Sequence, residues 1–274
     1  MKDLSVQEFN EIRAYIKQQF GISLSDEKKT LVHSRLRSTI QELGMETFSE
    51  YLDYLKKDRS GDALTRFVNK ITTNHTFFMR ETDHFDYYRD FVLPYINEEY
   101  KSQKDLRVWC AASSSGEEAV TLQIIAHEFF KKAGGGWNTE LLATDISANV
   151  LDKAVDAKYI TTGLADLPKS WLNEYFTKVD GKLSQVKPEI RKNITYRKLN
   201  LMDSFRFKKK FQVIFCRNVM IYFDNNTRNE VVKKFYEVIE PGGYLFIGHS
   251  ESISNSGSEF QYVKPAVYRK PLVK

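Results

Sequence analysis

LRVWCAASSSGEEAVTLQIIAHEFF, Leu106 to Phe130, decides the fold. Its first part, LRVWCAA, is a short apolar run with strand character, and EEAVTLQIIAHEFF carries apolar residues at helical spacing. A strand entering a Ser- and Gly-containing turn and then a helix is the unit of a mainly parallel α/β sheet, which places its ligand at the carboxyl ends of the strands. The turn holds one glycine, Gly116, followed at once by Glu117 and Glu118, so it fails the G-x-G-x-x-G pattern of a dinucleotide loop. Two carboxylates stand where a pyrophosphate would rest on the helix N-terminus. As helix-start charges they are worth at most about 1 kcal/mol. As pocket residues they call for a ligand that brings positive charge to the loop.

Working outward, LLATDI reads as the second strand and VLDKAVDAKY as the helix after it. Between about residues 160 and 193 the alternation breaks, and TKVDGKLSQVKPEI, with its Asp180-Gly181 turn, predicts a small antiparallel insert. ITYRKLNL, FQVIFC, the helix NEVVKKFYEVIE with a Pro241-Gly242-Gly243 stop, and YLFIGHS resume the pattern, and FQYVKPAVYRK predicts a hairpin at the sheet edge. Before the sheet, from Ser5 to about Arg80, apolar residues such as Phe9, Ile12, Ile16 and Phe20 recur every three or four positions, which predicts a small helical domain. HFDYYRDFVLPYINEEY adds one further helix.

Composition narrows the function. The 274 residues are 42% hydrophobic and 28% charged, and no run of about 18 apolar residues could span a bilayer. The first residues lack an apolar signal region, so a cytoplasmic location is expected. Cys110 and Cys216 lie in apolar strand-like runs, as buried thiols in a reducing compartment, and neither has the neighbours of a metal site. The net charge of +5 is modest and interleaved with acids, without the continuous basic stripe of a nucleic-acid binder.

The polar residues at the strand ends carry the chemistry. Asp145 ends the second strand, where an acid accepts both ribose hydroxyls; it is also a routine helix cap. Together with the acidic loop it defines an adenosine pocket with a non-phosphate tail, and S-adenosylmethionine, with its sulfonium and ammonium, has the matching charge. Asn74 and Thr76 offer short hydrogen-bonding groups, Arg80 offers a fork for a carboxylate, and FQVIFC delivers Arg217 and Asn218 to the pocket edge with Tyr222 about one turn beyond.

N-x-T-x-x-x-R (Asn74, Thr76, Arg80), AASSSGEE, ATDI, LNL (Leu199 to Leu201) and CRNVMIYF, in this order over almost the whole chain, resemble the CheR family of chemoreceptor glutamate O-methyltransferases. The resemblance implies an all-α N-terminal domain over residues 1–80 that docks the receptor. It further implies a class I S-adenosylmethionine-dependent methyltransferase domain, a Rossmann-like α/β sheet with a small antiparallel β insert, over residues 81–274. The donor would leave as S-adenosylhomocysteine, and no metal is implied. By the same resemblance Asn74, Thr76, Arg80, Glu118, Asp145, Asn200, Leu201, Arg217 and Asn218 line the cofactor site, and Arg80 and Tyr222 address the substrate glutamate.

The expected partners are the cytoplasmic methylation helices of chemoreceptors, met by a monomer that touches the membrane only through them. Lys28, Lys29, Arg35 and Arg37, flanking Val32, Leu36 and Ile40, are the candidate docking face; a solvated charged face is the other reading of the same residues. Two departures stand out. Ala119 replaces the family's usual proline, and the insert loop, Thr177 to Pro188, is short like that of members that do not bind a receptor-tail pentapeptide. The rival reading is a non-catalytic module that keeps the S-adenosylmethionine pocket for regulation or scaffolding.

Overall fold

Ser5 opens the first helix with a reciprocal cap: its hydroxyl accepts the Glu8 N–H at 3.1 Å, and the Glu8 carboxylate accepts the Ser5 N–H at 3.0 Å. The computed structural model describes residues 2–72, 75–253 and 258–272. Helix α1 (Val6–Phe20) buries Phe9, Ile12, Ile16 and Phe20, the stripe its periodicity predicts. It stops at Gly21, whose φ of 70° is left-handed. A Cβ there would lie 2.5 Å from Met202 Sδ and 2.6 Å from Thr227 Cγ2, so glycine both turns the chain and lets α1 meet the rest of the protein. Helices α2 (Lys29–Glu42), α3 (Phe48–Lys57) and α4 (Asp62–Ile71) complete the helical unit.

The single helix expected over HFDYYRDFVLPYINEEY is broken. Helix α5 (Thr82–Tyr87) passes into a wide π-turn at Tyr88–Val92, and α6 (Leu93–Glu99) follows. Pro94 lacks the N–H that would continue the i→i−4 ladder, and the wider turn absorbs the loss.

The sheet strands are β1 (Val108–Ala111), β2 (Leu141–Asp145), β6 (Ile194–Lys198), β7 (Phe211–Cys216), β8 (Ile239–Ile247), β9 (Gln261–Lys264) and β10 (Val267–Arg269), interleaved with α7 (Glu117–Lys132), α8 (Ala148–Asp156) and α11 (Asn225–Val238). Their order in space is β6-β2-β1-β7-β8-β10-β9, parallel from β6 to β8 and antiparallel at β10 and β9. This is a Rossmann-like sheet with its switch point between β1 and β7. The terminal hairpin sits at the sheet edge, as its alternation predicts. Pro241-Gly242-Gly243 is not merely a helix stop. It lies inside β8, where the register with β7 shifts and a Cβ on Gly243 would come within 2.7 Å of the Gln212 carbonyl.

The insert is a second sheet of β3 (Lys158–Ile160), β5 (Leu183–Val186) and β4 (Phe176–Lys178), with α9 (Lys169–Tyr175) and α10 (Pro188–Arg191) beside it. Lys158 and Tyr159 are read from the sequence as the end of the preceding helix. Ala157, at φ 50°, ends α8 instead and turns the chain into β3.

Strand residues alternate strictly between two cores. Trp109, Ala111, Ile214 and Cys216 face α11 and the helical unit, whose buried residues join the same cluster. Val108, Cys110, Val213 and Phe215 face α5, α6 and α7. The helical unit therefore closes one face of the sheet at the ligand end. Among the described residues no helix is long and apolar enough to cross a membrane.

Candidate functional site

At the carboxyl ends of β1, β2 and β7 a cleft opens, with about 1060 Å³ of free space, the part open to solvent included. Its far wall comes from the helical unit: Phe20, Ile22, Val68, Asn69 and Thr72. That wall is pinned by an antiparallel bridge between Ile22 and Phe223, by the Asn69 amide donating to Ser147 Oγ at 2.7 Å, and by the Asn200 amide donating to the Gln19 carbonyl at 2.8 Å. The sequence does not single out this wall, because Phe20, Ile22 and Val68 read only as core and Asn69 and Thr72 as ordinary polar positions near the end of α4.

Thr76, Arg80, Glu118, Asp145, Asn200, Leu201, Arg217, Asn218 and Tyr222 all line this cleft. Asn74 lies outside the described residues. Asp145 accepts the Ser114 N–H at 2.9 Å and the Ser147 N–H at 3.0 Å, which fixes the carboxylate across the tips of β1 and β2. Burial pushes its carboxyl above the usual range, against those two donors. A carboxylate in such a place keeps acceptor capacity for further hydroxyls.

The paired glutamates part company. Glu118 faces the cleft, whereas Glu117 turns to the opposite side, where the Ser115 hydroxyl donates to its carboxylate at 2.8 and 3.0 Å. Burial raises the Glu117 carboxyl. Gly116 serves packing: at φ 95° it lies where a Cβ would fall 2.9 Å from Ala154 Cβ and 2.9 Å from the Tyr196 hydroxyl, away from the cleft.

Glu118 belongs to a network that the sequence did not disclose. The Arg217 side chain, only 1% exposed, donates to Glu118 Oε2 at 2.7 Å on one side and to Glu81 Oε2 at 3.0 Å on the other. It also donates to the Arg80 carbonyl and stacks over Phe85. The Cys110 thiol donates to Glu118 Oε1 at 3.2 Å; burial, then Glu118 itself, raises its pKa, so it remains a thiol that can donate. Glu81 also accepts the Asn218 amide at 3.1 Å and the His249 N–H at 3.3 Å. Burial acts to raise the Glu81 carboxyl, but Asn218 and Arg217 outweigh it and hold it low.

Glu251 is a second unforeseen anchor. Its carboxylate, raised by burial, accepts the N–H groups of Asn218 and Ile221 at 3.0 and 3.1 Å and that of Gly248 at 2.6 Å. It thereby holds the loop that carries Arg217 to Tyr222. Backbone strain gathers at the same place: Met79, Glu81, Ala112, Ser114 and Asn218 all have positive φ.

Arg80 gives one guanidinium N–H to the His75 carbonyl at 2.8 Å and lies over Phe77. Of the four basic residues proposed to dock a partner, Lys28 and Arg37 are exposed and Lys29 is half-buried. Arg35 instead donates to the Lys70 and Thr72 carbonyls at 3.0 and 3.2 Å, satisfying the end of α4 beside the cleft wall. Glu81, His84 and His249 bring three potential ligand atoms within 4.8 Å of one another. Both Glu81 oxygens already hold donors and a guanidinium counters its charge, while burial and then Arg217 lower the His84 pKa to about 4.

Residues 7–72 match the family model described as CheR methyltransferase, all-alpha domain, and residues 74–269 match CheR methyltransferase, SAM binding domain. A chemotaxis protein methyltransferase of Borreliella burgdorferi is 38% identical over 98% of this chain and 95% of its own. Those of Salmonella typhimurium and Escherichia coli are each 34% identical over 97% of this chain, covering 90% and 91% of theirs.

Proposed function

The chain belongs to the CheR methyltransferase family, and from that premise we propose that it methylates glutamate side chains in the cytoplasmic helices of chemoreceptors, forming methyl esters for sensory adaptation. It is a chemotaxis methyltransferase that depends on S-adenosylmethionine. The observation that carries the substrate reading is the composition of the cleft: carboxylates face where the donor's cations would lie, and Arg80 and Tyr222 share the same cleft.

The residues present fit the donor. Asp145 would take the ribose hydroxyls, Glu118 the ammonium, and Asn200 and Leu201, beyond β6, the adenine side of the cleft. S-adenosylmethionine supplies an electrophilic methyl on a sulfonium. A glutamate, with a reference pKa of about 4.3, arrives ionised and needs no proton removed. What the protein contributes is alignment and exclusion of water: Arg80 steers a carboxylate by charge-assisted hydrogen bonds, Tyr222 positions the attacking group, and Phe20, Ile22 and Val68 keep the far wall apolar. The exposed Lys28 and Arg37, with Lys29, suit the acidic helix that bears the target.

The test is transfer of labelled methyl from S-adenosylmethionine to receptor cytoplasmic fragments, followed by base treatment of the product. Label released by base supports a glutamyl ester. Donor binding with no label on any receptor fragment would favour the non-catalytic module. In the same assay Arg80→Ala is expected to lower turnover by roughly a hundredfold, the scale of a lost positioning group; full activity would remove Arg80 from the substrate's path.

A further inference from the structure

The charges that line the cleft cancel. Arg80 and Arg217 bring two guanidiniums, Glu118 and Asp145 two carboxylates. S-adenosylmethionine carries a sulfonium and an ammonium against one carboxylate, a net positive charge, whereas S-adenosylhomocysteine has lost the sulfonium and is neutral. A charge-balanced cleft would attract the two equally through its net field, and the product would compete with the donor.

Glu81 breaks the balance from behind the wall. It does not line the cleft, yet it is bonded to the back of Arg217, through Nε at 3.3 Å and Nη2 at 3.0 Å, while Glu118 holds Nη1 at 2.7 Å. One guanidinium, almost wholly buried, is thus shared by two carboxylates. His84, beside Glu81 and fully buried, adds no compensating cation, because burial and Arg217 keep it neutral at physiological pH. The carboxylate is locked in place by the Asn218 amide and the His249 N–H, on a backbone held at a φ of 57°. Holding a non-glycine residue there is costly, which sets Glu81 apart from an incidental surface acid.

We propose that Glu81 is a positioning residue that occupies the back of Arg217, so that the cleft carries one uncompensated negative charge and is biased toward the cationic donor relative to the neutral product. The inference rests on the reading that Glu118 faces the donor's ammonium. That group is common to donor and product, so the contact of Glu118 with it adds to the affinity of both, whereas the net charge of the cleft biases their ratio.

The experiment is titration calorimetry of the full chain with S-adenosylmethionine and, separately, with S-adenosylhomocysteine. Glu81→Gln keeps the acceptor for Asn218 and removes the charge; it is expected to weaken the donor about tenfold and the product about twofold or less, the scale of one unit charge at an intermediate distance in protein. Glu81→Asp keeps the charge and tolerates the left-handed backbone, and is expected to hold the wild-type ratio even if both affinities fall. Equal weakening of both ligands by Glu81→Gln, or no change in either, would overturn the proposal. So would a Glu81→Asp protein with an altered ratio, which keeps the test decisive if the glutamine variant does not fold. Glu118→Gln separates the underlying reading: it removes the ammonium's acceptor together with the same unit of charge, so it should weaken both ligands, the donor more, and unchanged affinity for both would remove Glu118 from the ammonium whatever Glu81 does.

Discussion

Single residues at this site are decided by competition between burial and hydrogen bonding. Asp145 is a buried carboxylate raised by desolvation and held by two backbone N–H groups, so it sits in place before any ligand arrives. Asp145→Ala should abolish measurable donor binding in calorimetry; retained affinity would mean that the ribose is held elsewhere. Gly116 makes the opposite point. Its value lies in the absence of a side chain at φ 95°, against Ala154 and Tyr196. Gly116→Ala should cost about 1–3 kcal/mol of strain and contact, read as a melting temperature several degrees lower, with donor affinity affected only through that distortion. A melting temperature equal to wild type would show that the α7 start relaxes freely.

Elements meet through their ends. The start of α11 is capped by Asp224, which accepts the Thr227 N–H at 2.9 Å and pairs with Lys17 of α1 at 2.6 Å. Lys17, then the cap itself, lowers the Asp224 carboxyl to about 2. A depressed carboxyl contributes stability that is present above its unfolded value near 3.9 and is lost as pH falls through the folded one. Asn caps as well as Asp, so Asp224→Asn isolates the ion pair between the helical unit and the sheet. The variant should be less stable at pH 7 by at most about 1 kcal/mol, since Lys17 is half exposed. Chemical denaturation between pH 7 and 2 would show the gap closing below pH 4; a gap that persisted at pH 2 would assign the effect to the cap.

At the scale of the molecule, the helical unit is a wall of the cleft as well as a candidate docking face. Phe20 and Ile22 close the site, and Phe9, Ile12 and Ile16 share a buried cluster with Trp109 and Ile214 of the sheet. Calorimetry of the full chain should therefore show one cooperative unfolding transition. Two resolved transitions would make the helical unit thermodynamically independent. Removing residues 1–72 should eliminate donor binding even where the sheet still folds, because the apolar wall and the Asn69 and Asn200 ties go with it.

Local sequence determined what depends on local physics. The period of Phe9, Ile12, Ile16 and Phe20, the strand–turn–helix of Leu106 to Phe130 and the Asp180-Gly181 turn specified helices, sheet and insert, because side-chain alternation and turn preference act over a few residues. Motif order specified the family, and with it the donor. The partners of charges were not legible, because Glu81 and Arg217 stand 136 positions apart and meet only when α5 and β7 pack together. Nor could the sequence separate Glu117 from Glu118, since adjacent residues on a helix start point in different directions, which acquire meaning only from what lies there: Ser115 and Tyr159 on one side, the cleft on the other. Tertiary structure decided which carboxylates face the ligand and which stand behind it, because desolvation and ion pairing are properties of neighbours in space.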